Sequence, residues 1–148
     1  YTLSLHDALP ISSFGYFGEE RENRRALSEM MRVVRPGGRL VLDHANRAYV
    51  ERTLVESDEK TAGDYHILQR RWMEGDRVRK TITVMDGKGH SMELQEDVRL
   101  YFPGELVKLL EKHGAAEVVL WGDFHGGAFT PASQRRIAVA TQSAKRKE

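Results

Sequence analysis

The side chains best placed for chemistry begin with Asp43 and His44, which close the apolar run Leu40-Val41-Leu42. If that run is a buried strand, the pair stands at its carboxyl edge, where ligands of open α/β sheets bind. A histidine titrates near neutral pH, so His44 is the candidate for orienting a nucleophile or acting as a general base, with Asp43 beside it as a ligand contact. The plainer alternative, that both side chains bond local backbone groups, stays open. Arg99 and Tyr101 fall on the polar side of an alternating stretch, where they could grip an acidic ligand or lie on a solvated face. Asp123 and His125 sit in a Gly-, Pro- and Ser-rich loop, where function often resides, but their types alone assign them no role. The other histidines, His6, His66, His90 and His113, show no paired ligand spacing, so no metal site is expected. Cysteine is absent, which removes disulfides, thiolate nucleophiles and Cys-based zinc sites together and fits a reducing cytoplasm.

The elements that must position these groups follow from periodicity. From Glu19, the residues Leu27, Met30, Met31 and Val34 recur at helical spacing. Pro36 cannot continue that helix, and the Gly pair of Arg35-Pro36-Gly37-Gly38-Arg39 permits a sharp turn into the strand ending at Asp43. Ahead of the helix, Ser12 to Gly18 reads as a loop whose Phe14 and Tyr16 either plug the core or wall a pocket. A short helix is expected over Ala48 to Val55, and a polar, turn-prone stretch over Glu56 to Gly63. Three strands follow, Tyr65 to Met73, Arg77 to Met85 and Met92 to Tyr101, with hairpin turns at Glu74-Gly75-Asp76 and Asp86-Gly87-Lys88-Gly89. Met92, Leu94, Val98 and Leu100 share one face of the third strand, so the meander should pack on that side. A second helix spans Pro103 to His113 with Gly114 as its stop, and strands are expected over Glu117 to Trp121 and Ile137 to Thr141. Trp72 and Trp121 read as core or interface residues.

The totals bound the partners. At 148 residues this is one domain, and 23 basic against 22 acidic side chains leave a net charge of +1 with no global field toward nucleic acid or membrane. Lys145-Arg146-Lys147 is the one basic run, with no interleaved aromatics. No apolar run approaches the ~20 residues that cross a bilayer.

Two resemblances add to this reading. Thr2-Leu3-Ser4-Leu5-His6-Asp7-Ala8-Leu9-Pro10-Ile11 resembles the translation of a common short-read sequencing adapter, so residues 1–11 are expected to be non-native. The second rests on Ser13-Phe14-Gly15-Tyr16-Phe17, on Met31-Arg32-Val33-Val34-Arg35-Pro36-Gly37-Gly38-Arg39-Leu40-Val41-Leu42-Asp43, and on the downstream order of Leu100-Tyr101, Glu105-Leu106, Gly122-Asp123-Phe124 and Ser133 to Ala140. Together these resemble the C-terminal half of a class I S-adenosylmethionine-dependent methyltransferase. The resemblance implies an α/β fold: part of a Rossmann-like sheet with parallel strands and an antiparallel last strand, plus an antiparallel meander inserted at residues 64–101 of a domain spanning 12–142, followed by a polar tail, 143–148. It places Ser13 and Phe14 toward the cofactor, and Tyr16, Asp43, Arg99 and Tyr101 toward a small-molecule acceptor. The family's glycine-rich cofactor loop has no counterpart in this sequence, since Gly87-Lys88-Gly89 sits in a hairpin turn, so the chain itself is expected to be inactive. A non-catalytic α+β binding module, or a piece of another Rossmann enzyme such as a nicotinamide oxidoreductase, are the competing readings.

Overall fold

Asn23, Leu27 and Met31 recur four residues apart, so they stack on one side of an α-helix, and all three are buried. This helix, α1 (Glu20–Val33), belongs to a computed structural model that describes residues 14–144. The adapter-like segment, Ser13 and the basic tail lie outside the described residues. The helix ends as Val34 turns extended and Pro36 removes a donor. Gly37, at φ 73°, then closes a turn in which the Gly38 N–H donates to the Arg35 carbonyl at 2.8 Å.

The chain continues through β1 (Arg39–Ala45), α2 (Arg47–Thr53), β2 (Ser57–Ala62), β3 (Tyr65–Glu74), β4 (Arg77–Met85), β5 (Ser91–Arg99), α3 (Pro103–Lys112), β6 (Ala115–Trp121) and β7 (Arg135–Gln142). One sheet has the order β1-β7-β6. Every strand pairing among the described residues is antiparallel, so the expected parallel strands are not hydrogen-bonded neighbours here. Instead β7 lies between β1 and β6 and runs against both. Its small residues suit that central place: Ala138 and Ala140 oppose Leu42 and Leu40, leaving room for helices above them. Leu27 and Met31 of α1 and Leu106, Leu109 and Leu110 of α3 fill that room, forming the main core with Phe14 and Tyr101. Each such fully buried apolar side chain contributes roughly 1.5–3 kcal/mol. On the opposite face, Val41, Ile137 and Val139 form a smaller cluster with Trp121.

The second sheet is the meander β2-β3-β4-β5. It has one more strand than the sequence pattern shows, because β2 lies in the stretch expected to be turns. As an edge strand exposed along almost its whole length, β2 needs no apolar alternation. Its register is held instead by backbone pairing to β3 and by Arg71 and Gln69, which donate to Asp58 at 2.6 and 3.0 Å. The packed face expected on β5 is also corrected: Met92 and Leu94 are 56% and 47% exposed. Trp72 is exposed on the other side of the sheet, at 41%. β5 stops at Arg99, and the next two residues, Leu100 and Tyr101, turn into the main core.

At the start of α3 the N-cap is Phe102, which has no side chain to bond the helix N–H groups. The Glu105 carboxylate partly compensates by accepting the Phe102 N–H at 2.8 Å. Gly114, at φ 106°, provides the left-handed residue that ends the helix.

Candidate functional site

The alternation of β1 sends Leu40, Leu42 and His44 to the helix side of the sheet and Val41 and Asp43 to the other, so the two candidate residues at the strand's end part company. His44 points into the core, only 2% exposed, within a ring cluster drawn from separate elements. Phe14, from the loop before α1, stacks on Tyr101 with ring centroids 5.2 Å apart, and both meet the imidazole edge-on at 6.1 and 5.9 Å. Directly across from His44 on β7 stands Arg136, fully buried.

Hydrogen bonds fix the imidazole's chemistry. Nε2 lies 3.1 Å from the Arg99 carbonyl, and Nδ1 lies 3.4 Å from Arg136 Nη2 and 2.9 Å from the Ala45 carbonyl. A carbonyl only accepts and a guanidinium only donates, so Nε2 bonds Arg99 as N–H, while Nδ1 can serve either the Ala45 carbonyl as a donor or Arg136 as an acceptor, not both. Burial together with the Arg136 charge disfavours the imidazolium and brings the His44 pKa down to about 4, against the opposing bonds to the Ala45 and Arg99 carbonyls. Arg136 also donates to the Tyr101 carbonyl at 2.8 Å, while its Nε finds no acceptor. Burial lowers its pKa to about 10, with the more distant Glu105 acting against that shift. His44, expected as a base or orienting group, therefore presents no free nitrogen. It ties β1, β7 and the end of β5 together.

Arg99 and Tyr101 are placed differently from the expected polar strand face. Tyr101 is fully buried, and its hydroxyl donates to Glu20 at 2.9 Å. Burial pushes its phenol up to about 12, and the Glu20 carboxylate acts in the same direction. The Arg99 guanidinium lies 4.2 Å over the Tyr101 ring, donates to Asp76 at 2.6 Å, bonds Glu20, and reaches Glu105 at 3.4 Å. Burial works to lower its pKa, but Asp76, Tyr101 and Glu20 together hold it above the ordinary value, so the guanidinium is already engaged by carboxylates. Burial opposes ionisation of Glu20, yet the bonds from Arg24, Tyr101 and Arg99 together hold its carboxyl below the usual range. The cluster is latched to the Phe14 loop by backbone: the Arg99 N–H donates to the Gly15 carbonyl at 2.8 Å. Gly15 is required there, since at φ 95° an added Cβ would lie 2.6 Å from the Arg99 carbonyl oxygen. Asn23 fastens the other end of the loop by exchanging hydrogen bonds with the Phe17 backbone at 3.2 and 3.0 Å.

On the opposite face, Asp43 is 1% exposed and pairs with Arg135. Burial raises the Asp43 pKa and outweighs the pull of that cation. Arg135 lies 4.5 Å over the ring of Phe124, which is 61% exposed. The loop 122–134 carrying Phe124 is anchored by Asn46, whose Nδ2 donates to the carbonyls of Thr130, Pro131 and Ser133 at 3.3, 3.1 and 2.7 Å. Tyr16, at 48% exposure, and Phe124 are among the large side chains left open near the carboxyl edge of β1, as are Phe17 and Phe102. Asp123 accepts from the His125 and Gly127 N–H groups, which shapes the loop tip.

The structure therefore gathers Phe14, His44, Arg99 and Tyr101 into one hub, sets Asp43 behind the sheet, and leaves Tyr16 at the rim. Arg136 and the acids around Arg99 escaped the sequence reading. The signal for Arg136 was present: Arg136, Ala138 and Ala140 alternate onto one face. Among the described residues a groove of about 210 Å³ lies beside the hub, lined by Glu20, Arg24, Arg99, Glu105 and Lys108, and another of about 290 Å³ lies between α2 and β2, lined by Tyr49, Val50, Leu54, Asp58 and Arg71. Among the described residues no group of three or more His, Cys, Asp or Glu could hold a metal, and no helix is long and apolar enough to cross a membrane.

Comparison with family models gives no match, and neither does comparison with curated proteins. Solved structures do match. The CcbJ methyltransferase from Streptomyces caelestis superposes with a TM-score of 0.72 at 16% identity, over 93% of this chain and 59% of that one. An S-adenosylmethionine-dependent methyltransferase from Clostridium acetobutylicum gives 0.72 at 12% identity, over 93% of this chain and 57% of its own. The sugar N-methyltransferase KedS8 from a Streptoalloteichus species gives 0.66 at 19% identity, over 95% and 57%. The chain thus spans less than two thirds of the length of these proteins, and over that span it has an α/β fold of the kind found in methyltransferases.

Proposed function

We propose that this chain is the acceptor-side part of an S-adenosylmethionine-dependent methyltransferase acting on a small molecule. The observation that carries the reading is the superposition of nearly the whole chain on 57–59% of methyltransferase chains at a TM-score of 0.72. In that reading β1, β7 and β6 are the fifth, seventh and sixth strands of the family's sheet, the meander of β2 to β5 is its variable insertion, and the carboxyl edge of β1 faces the reaction.

The described residues do not by themselves fit the cofactor. Phe14, which the resemblance puts beside it, is 2% exposed and stacked on Tyr101. S-adenosylmethionine would supply an electrophilic methyl carbon, and in this reading a glycine-rich loop outside the 148 residues would seat it. We accordingly propose that the 148-residue chain is inactive alone.

Methyl transfer to a good nucleophile depends mostly on alignment. In this reading the chain's residues contribute stiffness. His44, Arg136 and the Arg99 acids act as positioning residues that fix the Phe14–Tyr16 loop, while Tyr16, Phe124 and the Arg135 guanidinium held by Asp43 form the open rim that meets the acceptor. The test extends the chain with its upstream coding sequence and measures S-adenosylhomocysteine release across small amine, hydroxyl and carbon acceptors. Turnover that Tyr16→Ala slows by raising KM supports the proposal. An extended protein that encodes no Gly-x-Gly loop after an apolar strand refutes it.

A further inference from the structure

The groove of about 210 Å³ runs between α1 and α3, and part of its charge is not used by the hub. Four cations line it, Arg24, Arg99, Lys108 and Lys112, against two carboxylates, Glu20 and Glu105. Both carboxylates are engaged by Arg99. Lys108 and Lys112 stand four residues apart on α3, so their side chains leave the same face about 5–6 Å apart at Cβ. Among the described residues no carboxylate lies within ion-pair distance of either. Lys112 offsets the carbonyl end of α3, but Lys108 lies a full turn earlier, where the helix end exerts little pull. Across the groove, Arg24 engages Glu20 through its Nε at 2.9 Å, which keeps its two terminal amino groups open as a fork. These charges converge from the two helices. Burial lowers the His113 pKa, and Lys112 of α3 and Arg24 of α1 both push it further in that direction.

We propose that this groove binds a small molecule bearing a diphosphate group. Charge supports it: four cations against two carboxylates leave an excess of two, held by Arg24, Lys108 and Lys112, whose only acid partner is the Glu20 bonded to Arg24. Ammonium groups serve phosphate oxygens as point charges, and the open Arg24 fork suits a pair of them. A single carboxylate would engage one of these cations and leave the others facing one another. Size supports it as well. At about 30 Å³ per water, the groove has room for about seven waters, which suits a diphosphate with part of the group it esterifies and excludes a helix or strand. Leu109, 9% exposed, gives that group an apolar contact in the same groove. The site is distinct from the rim assigned to the acceptor, since it lies on the helix side of the sheet whereas Asp43 and Arg135 lie behind it.

Isothermal titration calorimetry of the full chain with inorganic pyrophosphate, at low ionic strength and pH 7.5, tests this directly. Saturable sub-millimolar binding at one site is expected, weakening as sodium chloride is added because the cations are exposed. Acetate at matched ionic strength is expected to give no saturable heat. Lys108→Gln combined with Lys112→Gln is expected to weaken pyrophosphate binding by about tenfold. Arg32→Gln combined with Lys88→Gln removes as much charge from exposed positions outside the groove and is expected to leave the affinity unchanged. Should either double variant misfold by circular dichroism, the wild type decides by NMR: pyrophosphate is expected to shift the amides of Arg24, Lys108 and Lys112 together and to spare those of the β4–β5 turn. Absence of saturable binding, equal binding of acetate, an equal loss in the two double variants, or amide shifts scattered over the surface overturns the proposal.

Discussion

Acidifying the solution from pH 7 to pH 5 should destabilise the folded chain by about 2 kcal/mol through His44 alone. In the fold its pKa is about 4, against an ordinary value of 6.5. The unfolded chain therefore binds a proton that the native one refuses, and stability present above pH 6.5 drains away as the pH falls toward 4. Integrating between these two values at about 1.36 kcal/mol per pKa unit gives about 0.2 kcal/mol lost at pH 7 and about 2 at pH 5. The carboxylates with shifted pKa values do not mimic this window. Glu20 and Asp76 have lowered pKa values, so their losses begin only as the unfolded carboxylates protonate below their ordinary values of 4.5 and 3.8. Asp43 is raised and acts with the opposite sign. His113 is lowered by its partial burial and by neighbouring cations, and it adds in the same direction as His44. The assay is urea unfolding followed by Trp fluorescence at both pH values, for wild type and His44→Gln. Glutamine can still donate to the Arg99 carbonyl but does not titrate, so the pH difference should shrink by about 2 kcal/mol. Equal wild-type stability at the two pH values, or an undiminished dependence in His44→Gln, would refute the buried neutral imidazole.

Three further outcomes follow from the same geometry. Arg136→Met removes the cation facing His44 but leaves its burial, so the imidazole pKa should rise above about 4 while staying below 6.5 in an NMR titration, and a static value would contradict the contact. Gly15→Ala forces a Cβ to 2.6 Å from the Arg99 carbonyl oxygen at a φ of 95°, and a loss of about 2 kcal/mol in a denaturant melt is expected; a loss under about 0.5 would show that the latch yields. Asn46→Ala strips three carbonyls in the loop 122–134 of their shared donor, so limited proteolysis within that loop should accelerate about tenfold, and an unchanged cleavage rate would mean the loop is held by other contacts.

Local physics made much of this chain readable. Pro36 and Gly37 mark the turn into β1, Leu27 and Met31 mark the buried side of α1, and Gly114 marks the end of α3, because each depends on neighbours within a few residues. β2 was hidden because an exposed edge strand carries no apolar alternation. Met92 and Leu94 show an apolar pattern, but a pattern reports that a face needs cover without saying what covers it. The site was half legible. Asp43 and His44 stand at a strand end as expected, yet the strand period sends them to opposite faces. Arg99 appeared free because its acids, Glu20, Asp76 and Glu105, are 79, 23 and 6 residues away in sequence.

The central claim, that the chain is the acceptor-side portion of a methyltransferase and needs further sequence for its cofactor, is most directly tested by isothermal titration calorimetry with S-adenosylmethionine. The account predicts no saturable heat with the 148-residue chain and saturable binding once the chain is extended through its upstream coding sequence. Clear binding by the 148-residue chain alone, or none by the extended protein, would contradict it.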